Sequence, residues 1–208
     1  MATLSKLTRQ DNTTSGDRDN GGTTLTWGNN ISHTATGTGT QLCSPDVIHA
    51  YTHPLLAVLL NPIHADYQNP KLWRCEGEVV ADDHGLKVGV KTLTTIEEMP
   101  LPVVTLEQRV KFAILCAKHV CKDKKWNRWA NKWLSGEDRS AAAAEAAEAA
   151  AIAGHVATAR AAEAARAAAA EVEAQVAWAA WEAAEAAAAA AAWAAPIDLI
   201  ALAEQATS

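Results

Sequence analysis

The chain reads as an α+β protein, with a small mixed β-sheet domain and packed helices over residues 1–135, then a long alanine-rich helix over 136–196. Three observations predict this. Leu72–Val80 and Leu86–Lys91 alternate apolar and polar residues on either side of Asp82-Asp83-His84-Gly85, which is a hairpin pattern. Residues 105–134 repeat apolar side chains at helical spacing. Ser140 to Pro196 is almost entirely alanine, the residue that gives up least on becoming helical.

The opening Met1–Lys6 is polar and has no apolar core of signal-peptide type. Residues 9–23 are a polar loop, a wide hairpin tip or mobile excursion that leaves 1–22 partly flexible. Thr23–Trp27, Ile31–Thr36 and Val47–Tyr51 read as short strands, and Gly37-Thr38-Gly39 as a turn. Pro54 suits a helix N1 position and opens Leu55–Leu60, apolar on every side and therefore buried; Asn61-Pro62 should end it. Thr92–Glu97 extends the second hairpin arm until Pro100 and Pro102 stop it. Thr105 can cap a helix carrying Val110, Ala113, Ile114, Ala117 and Val120 on one side. A second helix, about Asp123 to Leu134, presents Trp126, Trp129 and Trp133 as a packing stripe.

Beyond it, Ser135 and Asp138 are spaced as a variant capping box, and Gly154 costs a continuous helix only about 1 kcal/mol. An unbroken helix of roughly 55 residues would be about 80 Å long. Winding it gathers Glu145, Glu148, Arg160, Glu163, Arg166, Glu173 and Glu185 into one stripe, with Arg160–Glu163 and Glu163–Arg166 supporting each other. Ile152, Val172, Val176 and Trp181 are too scattered for a heptad seam. Such a rod cannot form a core alone; it stands out as a rigid arm or packs closely against another alanine face, and serves as a spacer or as an arm for docking or oligomerisation with Trp178, Trp181 and Trp193 as anchors. Residues 197–208 read as a short C-terminal helical segment or tail.

The net charge of -6 is unevenly spread: residues 101–140 hold nine basic and four acidic side chains, whereas 141–208 hold two basic and nine acidic. The basic stretch (Arg109, Lys111, Lys118, Lys122, Lys124, Lys125, Arg128, Lys132) reads first as a solvated face opposite acidic neighbours of the same chain. Phosphate attraction is the competing reading, and a nucleic-acid partner is not expected. The charges along the alanine tract would be costly in lipid, so no membrane partner is expected. Cys43, Cys75, Cys116 and Cys121 have no regular spacing, which suits reduced thiols in a cytosolic setting.

Few residues form a chemical pattern. Cys43, His49 and His53, with His64, match no compact zinc spacing, so no metal site is expected. No Gly-x-Gly-x-x-Gly, P-loop or Gly-x-Ser-x-Gly occurs. His33-Thr34, Tyr51-Thr52 and Glu76-Gly77-Glu78 fall in an order that resembles the His–Tyr–Glu arrangement of the ADP-ribosyltransferase fold. That resemblance implies His33 on the ribose, Tyr51 stacked on nicotinamide and Glu78 polarising a ribose hydroxyl, with NAD as cofactor. The glycine expected after His33 is lacking, and the plain alternative makes Glu76 and Glu78 the solvated face of a hairpin strand.

A broader likeness rests on Pro54–Asp66, Leu93–Ile96, Glu107–Leu115 and Trp133–Ala141. These blocks, in order, resemble a family of tailed-bacteriophage and prophage proteins that share a domain of unknown function followed by an Ala/Trp/Glu/Arg-rich tail. The resemblance implies phage origin and action in the cytoplasm of the infected bacterium. The expectation is an accessory protein that works by binding, as a host-interaction or anti-defence factor. It would hold a host or phage protein, or a small nucleotide, without a cofactor, and its alanine arm would dock partners or join copies into a homo-oligomer. The alternatives are an ADP-ribosyltransferase-like enzyme using NAD and a minor structural protein of the virion.

Overall fold

The computed structural model describes residues 1–14, 24–151, 156–169, 173–193 and 196–208. They divide into two compact units, one of residues 1–61 with 65–103 and one of 62–64 with 104–208. The fold is α+β, but the division falls at residue 103, so the two helices assigned by sequence to the first domain belong with the alanine helices.

The first unit is built on the hairpin of β6 (Lys71–Asp82) and β7 (Val88–Met99). His84 and Gly85 turn it with positive φ, and Gly85 N–H donates to Asp82 Oδ1 at 3.0 Å. Strand β1 (Ala2–Thr8) pairs with the free edge of β6, while β4 (Ile31–Thr34) and β5 (Ile48–Ala50) share the far edge of β7. Tyr51 then exchanges both backbone hydrogen bonds with Ser5 of β1 at 2.8 Å, which closes the ladder on itself. The expected mixed sheet is corrected here: every strand pair among the described residues is antiparallel. Parallel pairing needs long crossovers, and this sheet grows from a hairpin.

Inside that ring lie Leu4, Trp27, Ile48, Ala50, Trp73, Cys75, Val88, Val90 and Leu93. The two indole N–H groups are satisfied, Trp73 Nε1 by Thr8 Oγ1 at 3.1 Å and Trp27 Nε1 by Thr14 Oγ1 at 3.0 Å. Thr14 belongs to the short pair β2 (Thr13–Thr14) and β3 (Leu25–Thr26), which frames the polar excursion; most of that excursion, 15–23, lies outside the described residues. Helix α1 (Pro54–His64) is capped by His53 Nδ1, which accepts from Leu55 N–H at 3.3 Å. It runs through Pro62 instead of ending at Asn61-Pro62, because proline in a last turn interrupts little of the helical ladder. Asn61 then closes the exit by bonding Tyr67 N–H and C=O.

The second unit is a helical bundle around α2 (Leu106–Val120), whose capping box joins Thr105 and Gln108. Helix α3 (Lys124–Ser135) buries Trp126, Trp129 and Trp133 as expected and ends at Gly136, in the left-handed conformation that favours glycine. The alanine tract is not one rod. It is described as α4 (Ala141–Ala151), α5 (Val156–Ala168) and α6 (Glu173–Trp193), followed by α7 (Leu199–Thr207). Ile152, Gly154, Glu171 and Val172 lie outside the described residues. Ser140 caps α4 in place of Ser135, donating to Asp138 Oδ1 at 2.7 Å and accepting from Ala143 N–H at 3.3 Å.

Helix α5 packs on α6, α4 on α5, and α2 against both α5 and α6. Arg160 meets Glu182 while Glu163 meets Trp178, so α5 and α6 run antiparallel. The expected packing on another alanine face occurs, but by the tract folding back on itself to make a core and not as one unbroken helix. Alanine does so with help: Phe112, Ile114 and Leu115 of α2 supply bulk, and Ala161, Ala164, Ala186, Ala187 and Ala190 lie fully buried in α5 and α6. Each buried methyl is worth about 0.8 kcal/mol. Among the described residues no helix is long and apolar enough to cross a membrane.

Candidate functional site

In the first unit the residues read as catalytic do not converge. His33 stands opposite Leu93, as does Gly77 on the other side of β7. His33 therefore shares the core side, edge-on to Trp27 at 4.6 Å, with Nε2 2.8 Å from the Thr26 carbonyl oxygen. Glu78 follows Gly77 where the pairing of β6 with β7 shifts register, and its side chain is exposed. Tyr51 is buried at the seam with Ser5, and burial raises its hydroxyl pKa.

The histidines weighed as metal ligands are engaged elsewhere, His53 on the α1 cap and His49 through Nε2, which accepts from Cys43 N–H at 3.0 Å. Among the described residues no group of three or more His, Cys, Asp or Glu side chains is placed to hold a metal.

What the sequence reading missed is the order of the loop from β4 to β5. Asp46 turns its carboxylate inward and accepts from Gly39 N–H at 3.0 Å and Gln41 N–H at 3.3 Å. Those bonds hold its pKa below the ordinary carboxylate value. A Cβ at Gly37 or Gly39 would fall 2.2 or 2.4 Å from an Asp46 oxygen, so both glycines are required by close approach. Lys91 of β7 donates to the carbonyls of Gly37, Gly39 and Asp46, the last at 2.7 Å. The signal was a Gly-x-Gly seven residues before an aspartate, which is too common to read alone.

The second unit brings two of the three predicted anchors together. Trp178 and Trp181 stack with centroids 5.4 Å apart and planes 21° apart. Arg160 lies over the Trp181 ring at 5.1 Å, and its Nη1 is 2.7 and 2.9 Å from the two Glu182 oxygens. Glu182 is 0% exposed. Its pKa is raised, chiefly by burial, with the neighbouring Glu163 and Glu185 adding to the rise and the guanidinium opposing it. Trp178 Nε1 donates to Glu163 Oε1 at 3.2 Å, which fixes the outer indole while leaving it 46% exposed. Trp193, 72% exposed, is twelve residues further on, about 18 Å along the helix axis from Trp181, and stands apart from the stack.

The arrangement is a two-indole platform with an acidic rim. Both tract arginines are spent internally, Arg160 on Glu182 and Arg166 on Glu148 at 3.0 Å. An exposed indole face beside Glu163 suits a cationic or aromatic side chain. On α3 and the residue before its cap, Lys122, Lys124, Lys125 and Arg128 are exposed and have no ion-pair partner among the described residues. The expected acidic neighbours therefore do not neutralise them; Lys132 alone on α3 is paired, with Glu137 at 2.6 Å.

Comparison of the chain with protein-family models, with curated proteins and with solved structures finds no match.

Proposed function

We propose that the chain is a bacteriophage accessory protein that acts by binding in the cytoplasm of the infected bacterium. The helical unit is its docking surface, and the partner is a host or phage protein that presents basic side chains. The observation that carries this reading is the Trp178–Trp181 platform: a large indole held by a stack and a carboxylate, yet nearly half exposed on an alanine-rich helix. Ordering such a side chain in advance lowers the cost of burying it against a partner. Tryptophans of this kind carry a disproportionate share of interface energy.

Charge selects the partner. The segment 141–208, with nine acidic residues and two basic ones, would repel the same face of a second copy. A basic surface around an apolar recess would complement it. The phage setting rests on the sequence likeness alone.

The test is recovery of a stoichiometric partner by the full chain from infected cells, then rebinding of that purified partner. Trp178→Ala should weaken rebinding by at least tenfold at unchanged helical content, and added salt should weaken it further. Self-association of the purified chain through the cationic α3 residues, with no foreign partner, would replace this reading with assembly. Tight incorporation into washed virions would replace it with a structural role.

A further inference from the structure

We propose that Cys43 and Lys87 form an oxidant-dependent covalent crosslink, a sulfenamide, which fastens the β4–β5 loop to the foot of β7. The site lies in the first unit and is independent of the tryptophan platform.

The geometry points to it in three ways. First, Lys87 Nζ is already in contact with Cys43 Sγ, at 3.1 Å. The lysine side chain is only 12% exposed, and its other charged neighbour, Asp83, is farther away at 3.9 Å. Second, Cys43 is held in place by backbone bonds that do not involve its sulfur. Its N–H donates to His49 Nε2, and its loop is pinned by Asp46 and Lys91. Third, of the chain's four cysteines Cys43 alone is exposed. Burial pushes the Cys75 thiol up to about 12 and raises those of Cys116 and Cys121 as well. A buried, protonated thiol is a poor nucleophile, so a dissolved oxidant meets one accessible thiol, with an amine beside it.

The co-reactant is a peroxide. The Cys43 thiolate attacks one peroxide oxygen; the S–O bond forms, the O–O bond breaks, and sulfur gives up two electrons to the peroxide. The departing hydroxide takes a proton from the Lys87 ammonium, leaving water and a neutral amine. That amine attacks the sulfenic sulfur, the S–N bond forms and the S–O bond breaks, and the hydroxide released takes the surplus nitrogen proton as a second water. Condensation of a sulfenic acid with a nitrogen is a known reversible end to this oxidation. Holding the two atoms in contact replaces a bimolecular encounter with an intramolecular one.

The experiment treats the purified full chain with graded hydrogen peroxide, blocks remaining thiols by alkylation, and maps the digest by mass spectrometry. The expected product is one linked pair of peptides, containing Cys43 and Lys87, lighter by two hydrogens than the two peptides together. A thiol reductant should split it. Lys87→Arg keeps the charge at this position and should divert Cys43 to sulfinic acid or to disulfide-linked dimers at the same peroxide dose. If the unmodified chain itself gives only those products, with Lys87 intact at every dose, the proposal is overturned.

Discussion

The two units solve the same packing problem with opposite materials. The first encloses two tryptophans, leucines and valines in a sheet that returns to its own first strand, and each buried indole has a threonine waiting for its N–H. The second lays alanine faces against α2. Large, irregular side chains fit one arrangement only, so the first core specifies itself. Methyl faces fit many registers almost equally well, and the uniqueness of the second unit has to come from elsewhere. The charged pairs between helices, Arg160–Glu182 with its buried carboxylate and the more exposed Arg166–Glu148, join α5 to α6 and to α4 and are placed to supply it. A buried ion pair adds little net stability but can fix register.

The largest expected effect breaks the first core. Trp73 is buried and hydrogen-bonded, so Trp73→Ala should cost about 3–5 kcal/mol in urea denaturation and leave the Thr8 hydroxyl without its indole partner. Amide exchange should show the loss across β1, β6 and β7, with α5 and α6 retaining their protection. Equal loss in both units would mean that they unfold together.

Next comes the key between the alanine helices. Arg160→Ala leaves the fully buried Glu182 carboxyl without its partner, and should cost about 3 kcal/mol. Glu182→Gln leaves an arginine whose side chain is 31% exposed and still hydrated, and should cost clearly less. The double change Arg160→Met with Glu182→Leu should recover most of the stability, while broader amide resonances would reveal a bundle that has lost its single register. Equal costs for the two single variants would remove the role assigned to Glu182 burial.

A smaller effect separates bundle from rod directly. Ala187 is fully buried on α6, so Ala187→Leu should destabilise by about 1–3 kcal/mol through overpacking. On an isolated rod the same change would be neutral, since leucine is nearly as good a helix former as alanine. A thermal melt by circular dichroism decides between them.

These contrasts also explain how much was legible. The hairpin, the α2 cap at Thr105 and the tryptophan stripe of α3 were readable because each depends on a local pattern: alternation about a turn, a threonine ahead of apolar residues at helical spacing, a spacing of three and four. The folding-back of the alanine tract was not, because alanine carries no face; every side of such a helix looks alike until α2 is placed beside it. The ion pairs show the same limit. Sequence spacing paired Glu163 with Arg166, which lie 3.8 Å apart, while the closer partners, Glu182 and Glu148, are 22 and 18 residues from their arginines. Of the candidate site residues, Trp178 and Trp181 stand out in the sequence as large residues in a small-residue field, whereas the contact of Cys43 with Lys87 spans 44 positions and leaves no local pattern.

The smallest effect is a pH response of opposite sign in the two units. In the first, the His49 pKa is pushed down to about 3, chiefly by burial and then by the Lys87 and Lys6 ammonium groups. An unfolded histidine titrates near 6.5. Between those values the unfolded chain binds a proton that the native state refuses, so stability is full above about pH 6.5 and falls as pH falls, by on the order of 1–2 kcal/mol at pH 5. In the second, Glu182 has a raised pKa, so the native state takes up its proton at a higher pH than the unfolded chain does. Its contribution is complete below the ordinary glutamate value and is lost as pH rises through the native one. Acidification from pH 7 to pH 5 should therefore weaken the first unit while the second holds or gains, measured as amide protection corrected for intrinsic exchange. His49→Gln should flatten the first response and Glu182→Gln the second. If both units instead moved in the same direction, and neither substitution changed the slope, the buried charges would not be what distinguishes them.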